Sequence, residues 1–399
     1  MRPPAPARSL PALCALICLL TACSGDTSSS TAASTSATGT AATTTAPTSG
    51  PAPADALDAQ VDAALAALDR RARVAQLFVV GVPLAGLDAG DALVEDGVGG
   101  VFLAGRSQAT AEDLAAVTGR WVDTAPGPRP WVAADQEGGQ VQALRGPGFE
   151  LLPAAAEQGQ LPPDELAALA DGLGASLAAA GVTLDLAPVA DVVPAGTEAD
   201  NDPIGAFGRQ YGSTAADVAA DVGTVVDGLA AHGVTSTLKH FPGLGLVDEN
   251  TDEAAGVTDP VTTADSEQVA VFGELAASPA EPFVMLSSAT YPAIDPSAPA
   301  TFSRVVITDV LRGRLGFDGP VITDDVGAAV AVQDIPPGER ATRFLEAGGT
   351  LVLTVDPDVY PEMLGAVLAR AEADPAFAAT VDAAVRTALT AKARAGLLG

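Results

Sequence analysis

Eight short apolar runs divide most of the chain at intervals, each bounded by Gly, Pro or Asp. They are LFVVGV (77–82), GVFLAG (100–105), PWVAAD (130–135), TLDLAP (183–188), STLKHF (236–241), PFVMLS (282–287), PVITDD (320–325) and TLVLTV (350–355). They are short for helices and mostly continuous in apolar residues, which is the pattern of strands covered on both faces. Between them lie alanine-rich segments with helical spacing, such as PPDELAALADGLGASLAAAG (162–181), TAADVAADVGTVVDGLAAHG (214–233) and PEMLGAVLARAEAD (361–374). Strands alternating with helices predict a parallel sheet in an α/β fold. Eight of them predict a closed TIM-type (β/α)8 barrel over residues 55–399 rather than an open doubly wound sheet. No G-x-G-x-x-G follows the first run, which weakens the open dinucleotide-binding alternative.

The N-terminal pattern is different. MRPPAPARSLPALCALICLLTACSGDTSSS has arginines, an apolar run from about Leu10 to Leu20, then small residues. The run is shorter than the roughly 20 residues a membrane-crossing helix needs, so residues 1–22 read as an export signal. Leu20-Thr21-Ala22-Cys23 resembles a bacterial lipobox, in which the cysteine is lipidated and becomes the first residue of the mature chain. The alternative is an ordinary signal peptide that contains a cysteine. Residues 23–54 are Ser, Thr, Ala, Gly and Pro with almost no bulky apolar side chains, a composition that cannot bury enough surface to fold and that suits a flexible tether. The expectation is an exported protein, lipid-anchored through Cys23 to the outer face of the cytoplasmic membrane.

All three cysteines (Cys14, Cys18, Cys23) precede the barrel, so the barrel has neither disulfides nor cysteine metal ligands. No metal or organic cofactor is implied. The net charge of −30 argues against nucleic acid and anionic membrane surfaces as partners. Oligomeric state is not legible; a monomer is favoured.

In a barrel of this kind chemistry sits at the C-terminal ends of the strands. Here those ends carry Asp135-Gln136-Glu137-Gly138-Gly139 after the third strand, Asp191 beyond the fourth, Lys239-His240 in the fifth, Ser287-Ser288 after the sixth, Asp324-Asp325 after the seventh and Asp356 after the eighth. One carboxylate after a strand is usually a turn former. Carboxylates after several strands of one barrel point to a site. Lys239 is one of two lysines and His240 one of two histidines in the chain. His232, before Gly233 at an expected helix end, suits the helix dipole and reads as structural.

The stretches Ala134-Asp135-Gln136-Glu137-Gly138-Gly139-Gln140-Val141, Lys239-His240-Phe241-Pro242-Gly243 and Gly319-Pro320-Val321-Ile322-Thr323-Asp324-Asp325 resemble glycoside hydrolase family 3, over about residues 70 to 399. They are most similar to its single-domain bacterial β-N-acetylglucosaminidases, and the lack of a second α/β domain after the eighth strand points the same way. The resemblance implies Asp324 as nucleophile, Asp135, Lys239 and His240 as sugar-binding residues, and Arg209 as a sugar-binding arginine. It also implies a carbohydrate substrate containing N-acetylglucosamine, drawn from cell-wall or other glycan fragments.

The sequence departs from that pattern in one loop. Where the branch has Pro-Gly-His-Gly and then Asp-Ser-His, whose last histidine is the acid/base, this chain has Pro242-Gly243-Leu244-Gly245 and Asn250-Thr251-Asp252. A retaining glycosidase needs a proton donor to its leaving group. Asp252 occupies the histidine's place and is the first candidate, with Asp248 (or Glu249) on the same loop as alternates. A turn-forming cluster without a catalytic role is the other reading of this loop. An arginine expected after the first motif is replaced by Ala143, with Arg145 close by as a substitute. Three functions follow: a retaining β-N-acetylhexosaminidase; a catalytically impaired sugar-binding lipoprotein on the same barrel; or a family 3 enzyme with another sugar or acceptor, such as a β-glucosidase or phosphorylase.

Overall fold

The structure is a computed structural model that describes residues 53–398. The signal, the lipidation site Cys23 and nearly all of the tether lie outside the described residues. Helix Pro53–Ala67 starts inside the stretch expected to be tether (23–54), so regular structure begins two residues before the expected boundary.

All eight apolar runs form strands: β1 Phe78–Pro83, β2 Gly100–Ala104, β3 Trp131–Ala134, β4 Leu184–Asp185, β5 Thr237–Phe241, β6 Phe283–Leu286, β7 Val321–Thr323 and β8 Val352–Thr354. Neighbours pair in parallel, β8 to β1 (Val79 opposite Leu353), β1 to β2 (Val80 opposite Val101), then β3 and β4. Thr237 of β5 lies opposite Phe283 of β6, and Ile322 of β7 opposite Met285. Single bridges join the two arcs: Leu184 with Thr235 and Val189 with Lys239 on one side, Ile322 with Leu351 on the other. The ring is closed, a TIM-type barrel with no free sheet edge. β4 is reduced to two residues because Pro188, after a cis peptide, cannot donate to a ladder.

Helices cover the ring by the apolar stripes read from the sequence. Helix Ala215–Ala230 buries Val218, Val222, Val225, Val226 and Leu229, the i, i+4, i+7, i+8, i+11 face of a 3.6-residue period, and Thr214 caps its start by accepting from Asp217 N. Helix Ala111–Thr124 begins with a reciprocal capping box between Thr110 and Asp113. Trp131 of β3 meets Phe283 of β6 edge-to-face at 5.2 Å between ring centroids. Such a pair contributes about 1 kcal/mol beyond its buried area.

One enclosed cation lies among the outer helices. Lys392, in helix Pro375–Arg394, is fully buried and donates from Nζ to Gln76 Oε1 at 2.7 Å. Burial pushes its pKa down to about 7.

Candidate active site

The C-terminal ends of the strands surround a cavity of about 480 Å³ lined by Asp135, Arg209, Lys239, His240, Asp252 and Asp324, among others. Apolar walls come from Phe102, Leu186, Met285, Leu353 and the half-exposed ring of Phe207. The cavity size suits one small polar ligand with its surroundings.

The charged floor is built around Glu137, which sequence reasoning left without a role. It lies in a short strand (Gln136–Gly138) paired with Val141–Gln142. Gln136 ties that hairpin down, donating from Nε2 to Leu144 O while its Oε1 accepts from Leu144 N. Glu137 accepts two bonds from Arg209, Nε to Oε2 at 2.9 Å and Nη2 to Oε1 at 2.8 Å, in the fork geometry guanidinium favours. Lys239 Nζ reaches the same carboxylate at 2.7 Å and Asp135 Oδ1 at 2.8 Å. Burial alone would raise the Glu137 pKa, but the charges of Arg209 and Lys239 outweigh it and hold it down to about 2. Burial would likewise lower the Lys239 pKa, yet Asp135 and Glu137 raise it above the ordinary lysine value. Lys239 is therefore a committed cation whose position is fixed by two carboxylates.

His240 is held from behind. Its Nδ1–H donates to Asp191 Oδ2 at 2.8 Å, because a carboxylate oxygen only accepts, and this leaves Nε2 as the other ring nitrogen. Asp191 Oδ1 also accepts from the backbone of His240 (3.1 Å) and Leu244 (2.7 Å). The loop leaving β5 is clamped further by Asn201, whose Nδ2 donates to Leu244 O (2.8 Å) and Val247 O (2.7 Å). Gly245 is required there, since a Cβ would lie 1.8 Å from Val192 O. Gly243, at φ +132°, adopts a backbone that side-chain-bearing residues rarely take.

The remaining carboxylates stand on two loops that dock together. Asp324 follows β7 and donates from its backbone to Leu286 O at 3.3 Å. Its Oδ1 accepts from Asp325 N at 2.9 Å. Asp325 is a turn anchor, accepting from Gly327, Ala328 and Val355 backbone N–H groups at 2.8–3.0 Å. The loop after β5 returns to the same place: Val330 N donates to Asp252 O and Ala331 N to Thr251 O at 3.2 and 3.0 Å. Asp252 is exposed as a residue, but it lines the cavity. Its pKa is pushed up to about 6, first by protein atoms displacing water from its carboxyl and then by the charge of Asp324, with His240 pulling the other way.

Not every expected residue is at the cavity. Arg145, expected to bind substrate, turns into its own hairpin, where Nε donates to Gln142 O (2.9 Å) and Nη2 to Gly139 O (3.0 Å) and Gln140 O (3.5 Å). Asp248, the alternate acid/base, is exposed and off the cavity wall, because the clamp at Val247 turns the chain outward there. His232 pairs with Asp171 at 2.8 Å on the outer surface. Asp356 caps a short helical turn, accepting from Asp358 N, and Ser287 Oγ accepts from Ala289 N and lies 3.0 Å from Tyr291 Oη, whose proton goes to Gly243 O. Among the described residues no group of three or more His, Cys, Asp and Glu side chains is arranged to hold a metal. Among the described residues no helix is long and apolar enough to cross a membrane.

Residues 70–391 match the family model described as "Glycosyl hydrolase family 3 N terminal domain". The chain belongs to glycoside hydrolase family 3. Among curated family 3 relatives, a protein named beta-hexosaminidase from Stenotrophomonas maltophilia (strain R551-3) is 33% identical over 297 residues, covering 70% of this chain and 83% of the relative. Beta-hexosaminidase LpqI of Mycobacterium tuberculosis is 32% identical over 307 residues, covering 75% and 76%. Among solved structures, a beta-N-acetylhexosaminidase from Beutenbergia cavernae DSM 12333 is 50% identical with a TM-score of 0.77, over 82% of this chain and 98% of that one. For this family 3 barrel, sequence reasoning placed Glu137 and Asp191 after strands but gave neither a partner; the structure sets Glu137 on Arg209 and Lys239, and Asp191 behind His240. The only signal for Glu137 was its place inside the motif.

Proposed function

We propose that this protein is a retaining β-N-acetylhexosaminidase that removes terminal β-linked N-acetylglucosamine from glycan fragments. The observation that carries the reading is the pair Asp324 and Asp252 on two docked loops of one cavity, where burial and then the charge of Asp324 push the Asp252 carboxyl up to about 6. A retaining glycosidase uses two carboxyl groups in different protonation states. Asp324 attacks the anomeric carbon. Protonated Asp252 gives its proton to the leaving oxygen, then as a carboxylate takes one from the water that releases the sugar from Asp324. Asp135, Lys239, His240 and Arg209 hold the sugar hydroxyls from the floor. The names of the family 3 relatives support the N-acetylhexosamine preference.

We extend the proposal to location. The arginine-led apolar run and Cys23 support a lipid-anchored envelope enzyme acting on cell-wall fragments, and Cys23→Ala should release the protein from the membrane fraction.

The deciding test is hydrolysis of an aryl β-N-acetylglucosaminide and of an unactivated N-acetylglucosamine disaccharide by wild type and Asp252→Ala, with and without inorganic phosphate. Wild type should cleave both substrates without phosphate. The variant should keep activity only on the aryl substrate, whose leaving group needs little protonation. Equal loss on both substrates would remove Asp252 from the acid role. A strict phosphate requirement would make the enzyme a phosphorylase. Cleavage of neither substrate by wild type would leave a sugar-binding protein.

A further inference from the structure

Beneath the charged floor lies a carboxyl group that the mechanism above does not use. Asp185, at the end of β4, is fully buried. Its Oδ1 accepts one bond, from Gln136 N at 3.1 Å, and its Oδ2 has no hydrogen-bond partner. Above it the charges already balance. Two cations, Lys239 and Arg209, close on two anions, Asp135 and Glu137, through contacts of 2.7–2.9 Å. A third ionised carboxylate would be unpaired, with one oxygen bare in the protein interior, where an uncompensated charge is costly.

We propose that Asp185 is a neutral carboxylic acid in the working protein and acts as a positioning residue: its proton keeps the floor electrically balanced, so that Lys239 stays on Asp135 and Glu137 and faces the sugar. The inference rests on the sugar-binding reading of the floor. The charged and titratable groups facing Asp185 are Asp135 and Glu137 from the β3 side, Lys239 from β5, and Tyr211 from the segment before helix Ala215–Ala230. Burial pushes the Asp185 carboxyl up to about 8. The Gln136 N–H and Lys239 pull it down, while Asp135 and Glu137 push the same way as burial. Above that pH the floor gains a charge, and Lys239 acquires a third carboxylate competing for it from below.

The test compares wild type with Asp185→Asn, which keeps the shape but cannot ionise, by thermal unfolding and by calorimetric binding of N-acetylglucosamine from pH 5 to 9. A raised carboxyl holds its proton in the folded state after the unfolded chain has released it. Wild type therefore loses stability, relative to the variant, from about pH 4 up to about pH 8, and the gap then levels. Sugar binding by wild type should weaken toward about tenfold per pH unit above about pH 8, and the variant should lack that fall. A melting-temperature gap that does not change with pH would overturn the protonation. A gap that grows, with wild-type binding flat to pH 9, would overturn the positioning role. Failure of wild type to bind the sugar at any pH would sink the sugar-binding reading and the positioning role with it, while the unfolding comparison still decides the proton.

Discussion

Glu137→Gln is the substitution that most directly tests how the floor is held. The wild-type carboxylate is buried, receives two bonds from Arg209 and one contact from Lys239, and sits at a pKa of about 2 against an ordinary 4.5. At about 1.4 kcal/mol per pH unit, that preference for the ionised form amounts to about 3 kcal/mol. Removing one partner from a buried ion pair costs about 3–5 kcal/mol, and the glutamine oxygen still accepts one bond, so the lower end applies. Unfolding entropy of about 2.1 cal/mol/K per residue, over the roughly 350 residues described, gives about 0.7 kcal/mol/K. The expected loss is then about 4 °C in melting temperature at pH 7, read by calorimetry or circular dichroism. The sign with pH follows from a lowered carboxylate. Its contribution is full above about pH 4.5 and fades as pH falls toward 2, so the wild-type advantage should shrink between pH 5 and 3. A loss under about 1 °C, or a gap that stays constant to pH 3, would refute the assignment of this stability to the charge of Glu137. The same variant should weaken sugar binding, because Arg209 and Lys239 lose the carboxylate that aims them.

Three other outcomes are expected. Asp324→Asn should abolish turnover if the covalent route operates, while calorimetric sugar binding persists; unchanged turnover would remove Asp324 from the nucleophile role. For an unactivated disaccharide, kcat should decline as pH rises through about 6, because Asp252 must carry a proton to give; a profile flat from pH 5 to 8 would contradict it. Lys392→Met should be more stable than wild type at pH 6–7, with the advantage shrinking as pH rises toward 10.5, since the unfolded lysine is protonated there and the buried one is not; an advantage independent of pH would mean that Lys392 is charged in place.

The barrel was legible because its strands are continuous apolar runs and its helices carry an unbroken apolar stripe, so period and length alone separate them. Asp135, Lys239, His240 and Asp324 were legible because each stands at a strand end, where the fold fixes direction. Long-range partners were not. Glu137 meets Arg209 across 72 residues of sequence, and His240 meets Asp191 across 49. No local pattern encodes such a meeting. Arg145 differs in the opposite way: it was proposed as a stand-in for the arginine that the resemblance expects near Ala143, and its partners are backbone carbonyls a few residues away rather than groups at the cavity. Asp252 was the first candidate and Asp248 its alternate on one loop, and the structure adds that Asp252 lines the cavity beside the docking at Val330 and Ala331 while Asp248 does not.

That docking has a consequence for how such an enzyme changes over generations. The segment carrying Asp252 is fastened by main-chain atoms, Thr251 O and Asp252 O, to the loop that follows Asp324. Main-chain fastenings are blind to the side chain borne at that position. A substitution at position 252 leaves both of these bonds in place. The barrel thus holds position 252 in a socket whose backbone does not depend on the side chain it carries, so the proposed proton donor can vary there while the loop bearing Asp324 stays as it is.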